Sequence, residues 1–156
     1  KRQLALAERY HIQEYLSPAG GCLLTDPAFS RRLRDLFRHR DPVQVRDIEL
    51  LKVGRHLRLN EARKVIVGRH AQDNERIAHL VAPDDDVLKV EDYPGPLCII
   101  PHGGTGDDVQ WAASVCVRYS DAPHDVQVTV TWSKNGTEQQ ITSRSCPPSL
   151  PTALMI

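Results

Sequence analysis

The spacing of apolar residues changes character near residue 52. Before it, the period is helical. Residues 2–14 carry Leu4, Leu6, Ala7, Tyr10 and Ile12, an imperfect helical stripe, and SPAGG over 17–21 then breaks any helix. DPAFSRRLRDLFRHR over 26–40 sets Phe29, Leu33, Leu36 and Phe37 on one side, with Thr25 or Asp26 as cap and Pro27 in the first turn. Asp41-Pro42 ends that helix and a short element, VRDIELL, follows.

Beyond residue 52 the texture is that of strands. KVGRHLRL and KVIVGR, separated by NEARK, read as a hairpin, and AQDNERIAHLV reads as a helix. Asp84, Asp85 and Asp86 form an acidic turn before the strands VLKVED and PLCII, which YPGP joins. After HGGTG a helix is expected over DDVQWAASVCVRYS, capped by Asp107 or Asp108, with Trp111 among Ala and Val and therefore in the core. VQVTVTW alternates as a half-buried strand does, and Asn135-Gly136 turns into EQQIT. The proline-rich tail SCPPSLPTALMI is expected to start irregularly.

The chain has 156 residues, 40% hydrophobic and 26% charged, with a mean hydropathy of −0.40. That length buries roughly 68–70% of the unfolded surface, so a core forms without disulfides. No apolar run is long enough to cross a membrane. The chain opens without Met inside a helical pattern, which reads as a piece of a longer protein. Cys22, Cys98, Cys116 and Cys146 form no CxxC pair and follow no secretory signal, so a reducing cytoplasm is the expected setting. The seven His residues show no zinc-enzyme spacing.

Zero net charge hides a split. Residues 1–69 hold 15 Lys and Arg against 8 Asp and Glu, a balance of +7; residues 70–156 hold 5 against 12, a balance of −7. Arg dominates the basic part, and its planar fork matches phosphate oxygens. Such asymmetry marks either a polyanion-facing side or two halves that neutralise each other.

Three motifs carry candidate chemistry. GGCLLTDP over 20–27 places Cys22 after two glycines and before a helix start, which suits a reactive thiol or a polyanion pocket, or else a tight turn with an inward Cys. VGRH occurs twice, over 53–56 and 67–70. The second copy continues through Gln72, Asp73 and Asn74 at a strand-to-helix turn, where Arg69 and the amides suit phosphate or base edges. The alternative is an Arg paired with an acidic neighbour beside an ordinary cap. HGGTG lacks the Lys and spacing of a phosphate loop and reads as a surface loop. Trp111, Tyr119 and Trp132 are the aromatic residues with a potential for base stacking.

SPAGGCLLTDPAFSRRLRDL, DIELLKVGRHLRL and KVIVGRHAQDN together resemble the C-terminal portion of PP-loop ATPase proteins, predicted tRNA thiouridylases. From about residue 45 the order of features is similar to the NFACT-R class of RNA-binding domains. The GRN-type motif of that class corresponds to Val67 through Asn74, with His70 in place of the usual Asn. The resemblance implies an α+β chain: a helical, basic segment over 1–44 and a mixed-sheet NFACT-R-like domain over 45–156. It implies tRNA or another structured RNA as partner, an N-terminal PP-loop domain using ATP, and no cofactor on this part. Arg31, Arg32, Arg34, Arg38, Arg55, Arg58, Arg69 and Asn74 are the expected RNA contacts. Two rival readings make Cys22 a catalytic sulfur carrier that completes the ATPase site, or make the Arg surface a docking face for the PP-loop domain or for a second copy in a homo-oligomer.

Overall fold

The computed structural model describes residues 16–17 and 21–156, with side chains from Leu23 onward. The helix expected over 2–14 lies outside them. The chain divides into two units, one ending at Lys52 and the other spanning Val53–Met155.

In the first unit, the backbones of β1 (Leu16–Ser17) and β2 (Gly21–Cys22) pair antiparallel, and a 3-10 turn over Leu23–Thr25 leads to α1 (Pro27–His39). Asp26 is the cap: its Oδ1 accepts from Ala28 N at 2.8 Å and Phe29 N at 3.4 Å, and Pro27 needs no partner at that position. The apolar stripe of α1 buries Phe29, Leu33 and Leu36 with Leu24, Ile48 and Leu51. Ile48 belongs to α2 (Val45–Leu50), whose start is closed by Asp47 Oδ2 accepting from Gln44 N at 2.8 Å. This packing explains why the first unit runs to Lys52: α2 is too short to bury its apolar side alone and joins the cluster of α1.

The second unit is a six-stranded sheet in the order β3-β4-β6-β5-β7-β8, comprising β3 (Arg55–Arg58), β4 (Lys64–Val67), β5 (Asp86–Val90), β6 (Cys98–Ile100), β7 (Val128–Lys134) and β8 (Thr137–Ser143). The α+β class holds. The sheet, expected as mixed, is antiparallel at every pairing. Hairpins at both edges, and a return after the one long helix that reverses direction, leave no parallel neighbour. At the β3–β4 turn, Asn60 Oδ1 accepts from Ala62 N and Arg63 N, both at 2.9 Å. At the β7–β8 turn, Asn135 and Gly136 have positive φ of 53° and 76°, as the sequence anticipates.

Alternation decides the layers. Leu57, Val65, Val67, Cys98, Ile100, Leu88, Val90 and Val130 line one face, against Val109, Ala112, Ala113, Cys116 and Val117 of α4 (Gly106–Arg118). His56, Ile66 and Ile99 lie in register on the other face and are fully buried. The cap of α4 is Thr105 rather than either Asp: Thr105 Oγ1 accepts from Asp108 N at 3.2 Å, and Asp108 Oδ2 accepts from Thr105 N at 2.9 Å. Two further helices complete the unit, α3 (Ala71–Leu80) and a short α5 (Ser149–Leu154) in the tail. Among the described residues no helix is long and apolar enough to cross a membrane.

Ile99 sits in the shortest strand of the six-stranded sheet with a neighbour on both sides, so the site has little room to collapse. Ile99→Val is expected to cost about 0.5–1.5 kcal/mol and Ile99→Ala about 2–5 kcal/mol in urea denaturation, with the slope unchanged.

Candidate nucleic-acid interface

The doubled VGRH motif becomes one structure through strand register. Arg55 opens β3 and pairs with Val67 at the end of β4, so the antiparallel hairpin brings both Gly-Arg steps to the same end of the sheet. Gly54 has φ +73°, and a Cβ there would stand 2.7 Å from Val67 O; only glycine lets the chain enter β3 so close to its partner. Past Gly68 the chain turns into α3, whose cap is His70: Nδ1 accepts from Asp73 N at 3.2 Å.

Asp73 is only 2% exposed and ties the two motifs together. Its Oδ2 accepts from Gly54 N at 3.2 Å, Arg69 N at 3.1 Å and Arg69 Nε at 2.7 Å, while Oδ1 accepts from Arg69 Nη2 at 3.4 Å. Burial pushes the Asp73 carboxyl up. The Arg69 side-chain and backbone N–H groups, with the charge of Arg69, outweigh that and hold it below the usual carboxylate range. The hydrogen bond to Asp73 in turn raises Arg69. Arg69 is thus the paired residue of the structural reading and remains 42% exposed, with guanidinium N–H groups left over for a ligand.

Around Arg69 lies a cleft of about 380 Å³, lined by Arg55, Gly68, Arg69, His70, Ala71, Asn74, the Pro94–Pro96 turn, Tyr119 and Asp121. The Arg55 guanidinium stacks on the Tyr119 ring, 4.7 Å from its centroid, which fixes a flat cationic platform at one wall. Burial raises the Tyr119 phenol, with Arg55 opposing. The N–H groups of Ala71 and Gln72 in the first turn of α3 have no intrahelical acceptor. Asn74 has a structural duty: its Oδ1 accepts from Leu97 N at 3.0 Å, anchoring the turn before β6. A Cβ on Gly68 would stand 1.9 Å from that oxygen.

The remaining expected contacts lie elsewhere. Arg58 points to the opposite face of β3 from Arg55, three residues away in a strand. On α1, Arg31, Arg34 and Arg38 are exposed along one stripe, whereas Arg32 is half-buried and its Nη1 donates to Leu51 O at 3.0 Å. Cys22 is described only through its backbone, in β2; its thiol lies outside the described atoms. The HGGTG loop spends its amides internally: His102 N on Asp85 Oδ1 at 2.9 Å and Gly104 N on Asp86 Oδ2 at 2.7 Å. Asp85 and Asp86 are accordingly buried, and of the expected acidic turn only Asp84 is exposed. Trp111, expected in the core, is 51% exposed.

Two outcomes test this geometry. Gly68→Ala displaces the Asn74 amide and leaves Leu97 N unpaired, so Gly68→Ala and Asn74→Ala are each expected to cost about 1–3 kcal/mol, with the double variant far less destabilised than their sum. Because the Asp73 carboxyl is lowered in the folded chain, its stabilisation is complete above the unfolded value near pH ~3.9 and disappears as pH falls through the lower folded value. The stability gap between wild type and Asp73→Asn, followed by urea denaturation, should therefore be constant from neutral pH to about pH 5 and shrink below about pH 4.

Residues 54–149 match the family model of the NFACT protein RNA binding domain, a segment that starts at the first glycine of the doubled motif and contains every lining residue of the cleft. Comparison with curated proteins gives no match. Among solved structures the chain is similar to the C-terminal part of the fibronectin/fibrinogen-binding protein from Streptococcus suis, with a TM-score of 0.59 and 12% identity over 80% of this chain and 66% of that chain. At that identity the likeness speaks for the fold alone, and the chain spans just under two thirds of that structure's length. The family model covers well over half of the chain: the chain belongs to the NFACT RNA-binding domain family.

Proposed function

We propose that the chain is an RNA-holding module whose partner is a structured RNA, tRNA first, gripped at the Arg55–Arg69 cleft. The observation that carries this reading is the coincidence of the RNA-binding family segment with a cleft that offers two guanidinium groups, a helix N-terminus and an aromatic face. Phosphate oxygens suit the Arg69 fork and the free amides of α3, and a base or ribose suits the Tyr119–Arg55 platform. The charges lining or closing the cleft, Arg55 and Arg69 against Asp73 and Asp121, balance. Recognition there rests on oriented donors at short range, while the exposed Arg31, Arg34 and Arg38 of α1 supply salt-sensitive attraction.

Within the parent protein, the segment resemblance to PP-loop tRNA thiouridylases favours an accessory role. The PP-loop domain would carry out the ATP-dependent modification, and this chain would present the tRNA to it in the cytoplasm. No catalytic step is assigned to the described residues.

A salt titration of tRNA binding by the 156-residue chain tests the reading. Arg55→Ala and Arg69→Ala are each expected to weaken binding by roughly 1 kcal/mol, about fivefold, and to reduce the salt slope by about 1. Arg58→Ala, on the other face of β3, should leave cleft binding near wild type. Absence of tRNA binding at low salt would sink the proposal and favour a protein partner for the basic surface.

A further inference from the structure

We infer that the hollow beside the first half of α4 is a second RNA subsite, which takes one unpaired base on the indole of Trp111. The inference rests on the RNA-holding role proposed above and extends it to residues outside the cleft.

α4 sorts its residues cleanly by face. Val109, Ala112, Ala113, Val115, Cys116 and Val117 are buried, and the outward stripe runs through Asp107, Gln110, Trp111 and Ser114. Trp111 is the largest apolar side chain on that stripe and, at 51%, the most exposed of the large hydrophobics among the described residues. The other tryptophan shows what a structural indole looks like in this fold: Trp132 packs against the core and its Nε1 donates to Asp86 Oδ1 at 2.9 Å. Trp111 has neither arrangement among the described residues. A helix that places small residues inward and its one indole outward gives up burial that Trp111 would have gained.

The surroundings of the indole identify what it is open to. A hollow of about 350 Å³ is bounded by Trp111, Gln110, Gln127, Thr142 and Arg144, with Asp107 at its edge. Among the described residues the amides of Gln110 and Gln127 and the guanidinium of Arg144 make no side-chain hydrogen bond, so their donors and acceptors are available. One aromatic face ringed by unspent amides and a single cation matches an unstacked nucleobase and its phosphate. Every base offers a π-face, amides read base edges, and Arg takes the phosphate. A protein-docking patch would instead need an apolar centre of several side chains, and the lining here holds one. Trp111 lies near the middle of α4 and Tyr119 caps its C-terminal end, about 12 Å further along the axis, so the two sites are separate.

The test follows tryptophan emission of the full chain titrated with a short single-stranded oligoadenylate, and with a base-free strand of the same length. Wild type should show quenching with oligoadenylate and none with the base-free strand, and Trp111→Phe should lose most of that signal while keeping affinity. Trp111→Leu should weaken oligoadenylate binding on the order of tenfold without changing the salt slope, whereas Arg69→Ala lowers the slope and retains the quenching. If Trp111→Leu binds as wild type does while Arg69→Ala is impaired, the subsite is overturned and the cleft reading stands. If no RNA binds wild type, both fall. If Trp111→Leu changes sedimentation of the chain and not its RNA affinity, the hollow is a contact between copies and the subsite is likewise overturned.

Discussion

An ionised carboxylate buried without partners is among the costliest groups a fold can contain, and the cleft end of this sheet is built around one that is fully partnered. Asp73 receives N–H groups from Gly54, from the Arg69 backbone and twice from the Arg69 side chain, so the entry to β3, the exit of β4 and the first turn of α3 share one acceptor. None of these three segments can shift without stripping the carboxylate of donors. The cleft inherits its shape from that constraint. Arg69 is held on the side facing Asp73 and open on the other, and Arg55, in register with the end of β4, is fixed against Tyr119. A guanidinium restrained in this way loses little rotamer freedom on meeting a phosphate, which is the advantage of Arg at such sites.

Much of this was legible in the chain itself. The change of period at residue 52, the NEARK and Asn135-Gly136 turns, and the cap at Asp26 place most elements, because these signals are local. The repeated VGRH marks the two Gly-Arg steps that the β3–β4 hairpin brings to one end of the sheet, since a glycine beside an Arg at a strand end is a local signal too. What escaped was decided by distant partners. Asn74 reads as a ligand-binding amide, yet a backbone N–H 23 residues away claims its oxygen. Thr105 outranks Asp107 and Asp108 as cap because Asp108 is needed at the third position of the box and also accepts from Asn60 Nδ2 at 2.7 Å. Trp111 sits in a small-residue helix that looks uniformly apolar, and only the sheet beneath shows which side is out. Arg58 and Arg55 are near neighbours in sequence and opposite in space, as a pleated strand requires.

Two kinds of arginine follow from two kinds of secondary structure. On α1 the charges repeat at three- and four-residue steps on a solvated ridge, Arg31, Arg34 and Arg38, where they act as a field. At the hairpin end each guanidinium has a named partner and acts as a shaped donor. The +7 balance of residues 1–69 therefore overstates what reaches the cleft, where acidic partners cancel the formal charge and leave direction.

The strand order has a consequence for how the chain folds. Its outer hairpins are joined locally, β3 to β4 across residues 59–63 and β7 to β8 across a two-residue turn. The ladder between β5 and β7 instead closes residues 91–127, with β6 and α4 inside the loop. Logarithmic scaling makes that closure about 2 kcal/mol costlier in chain entropy than the β3–β4 hairpin. Local hairpins form within about 1–10 μs, so the two long-range ladders, β4 with β6 across residues 68–97 and β5 with β7, are expected to close after them. The helix that carries Trp111 and is capped by Tyr119 lies inside the longer of those two loops, so the closure that orders the centre of the sheet also fixes both aromatic side chains on it.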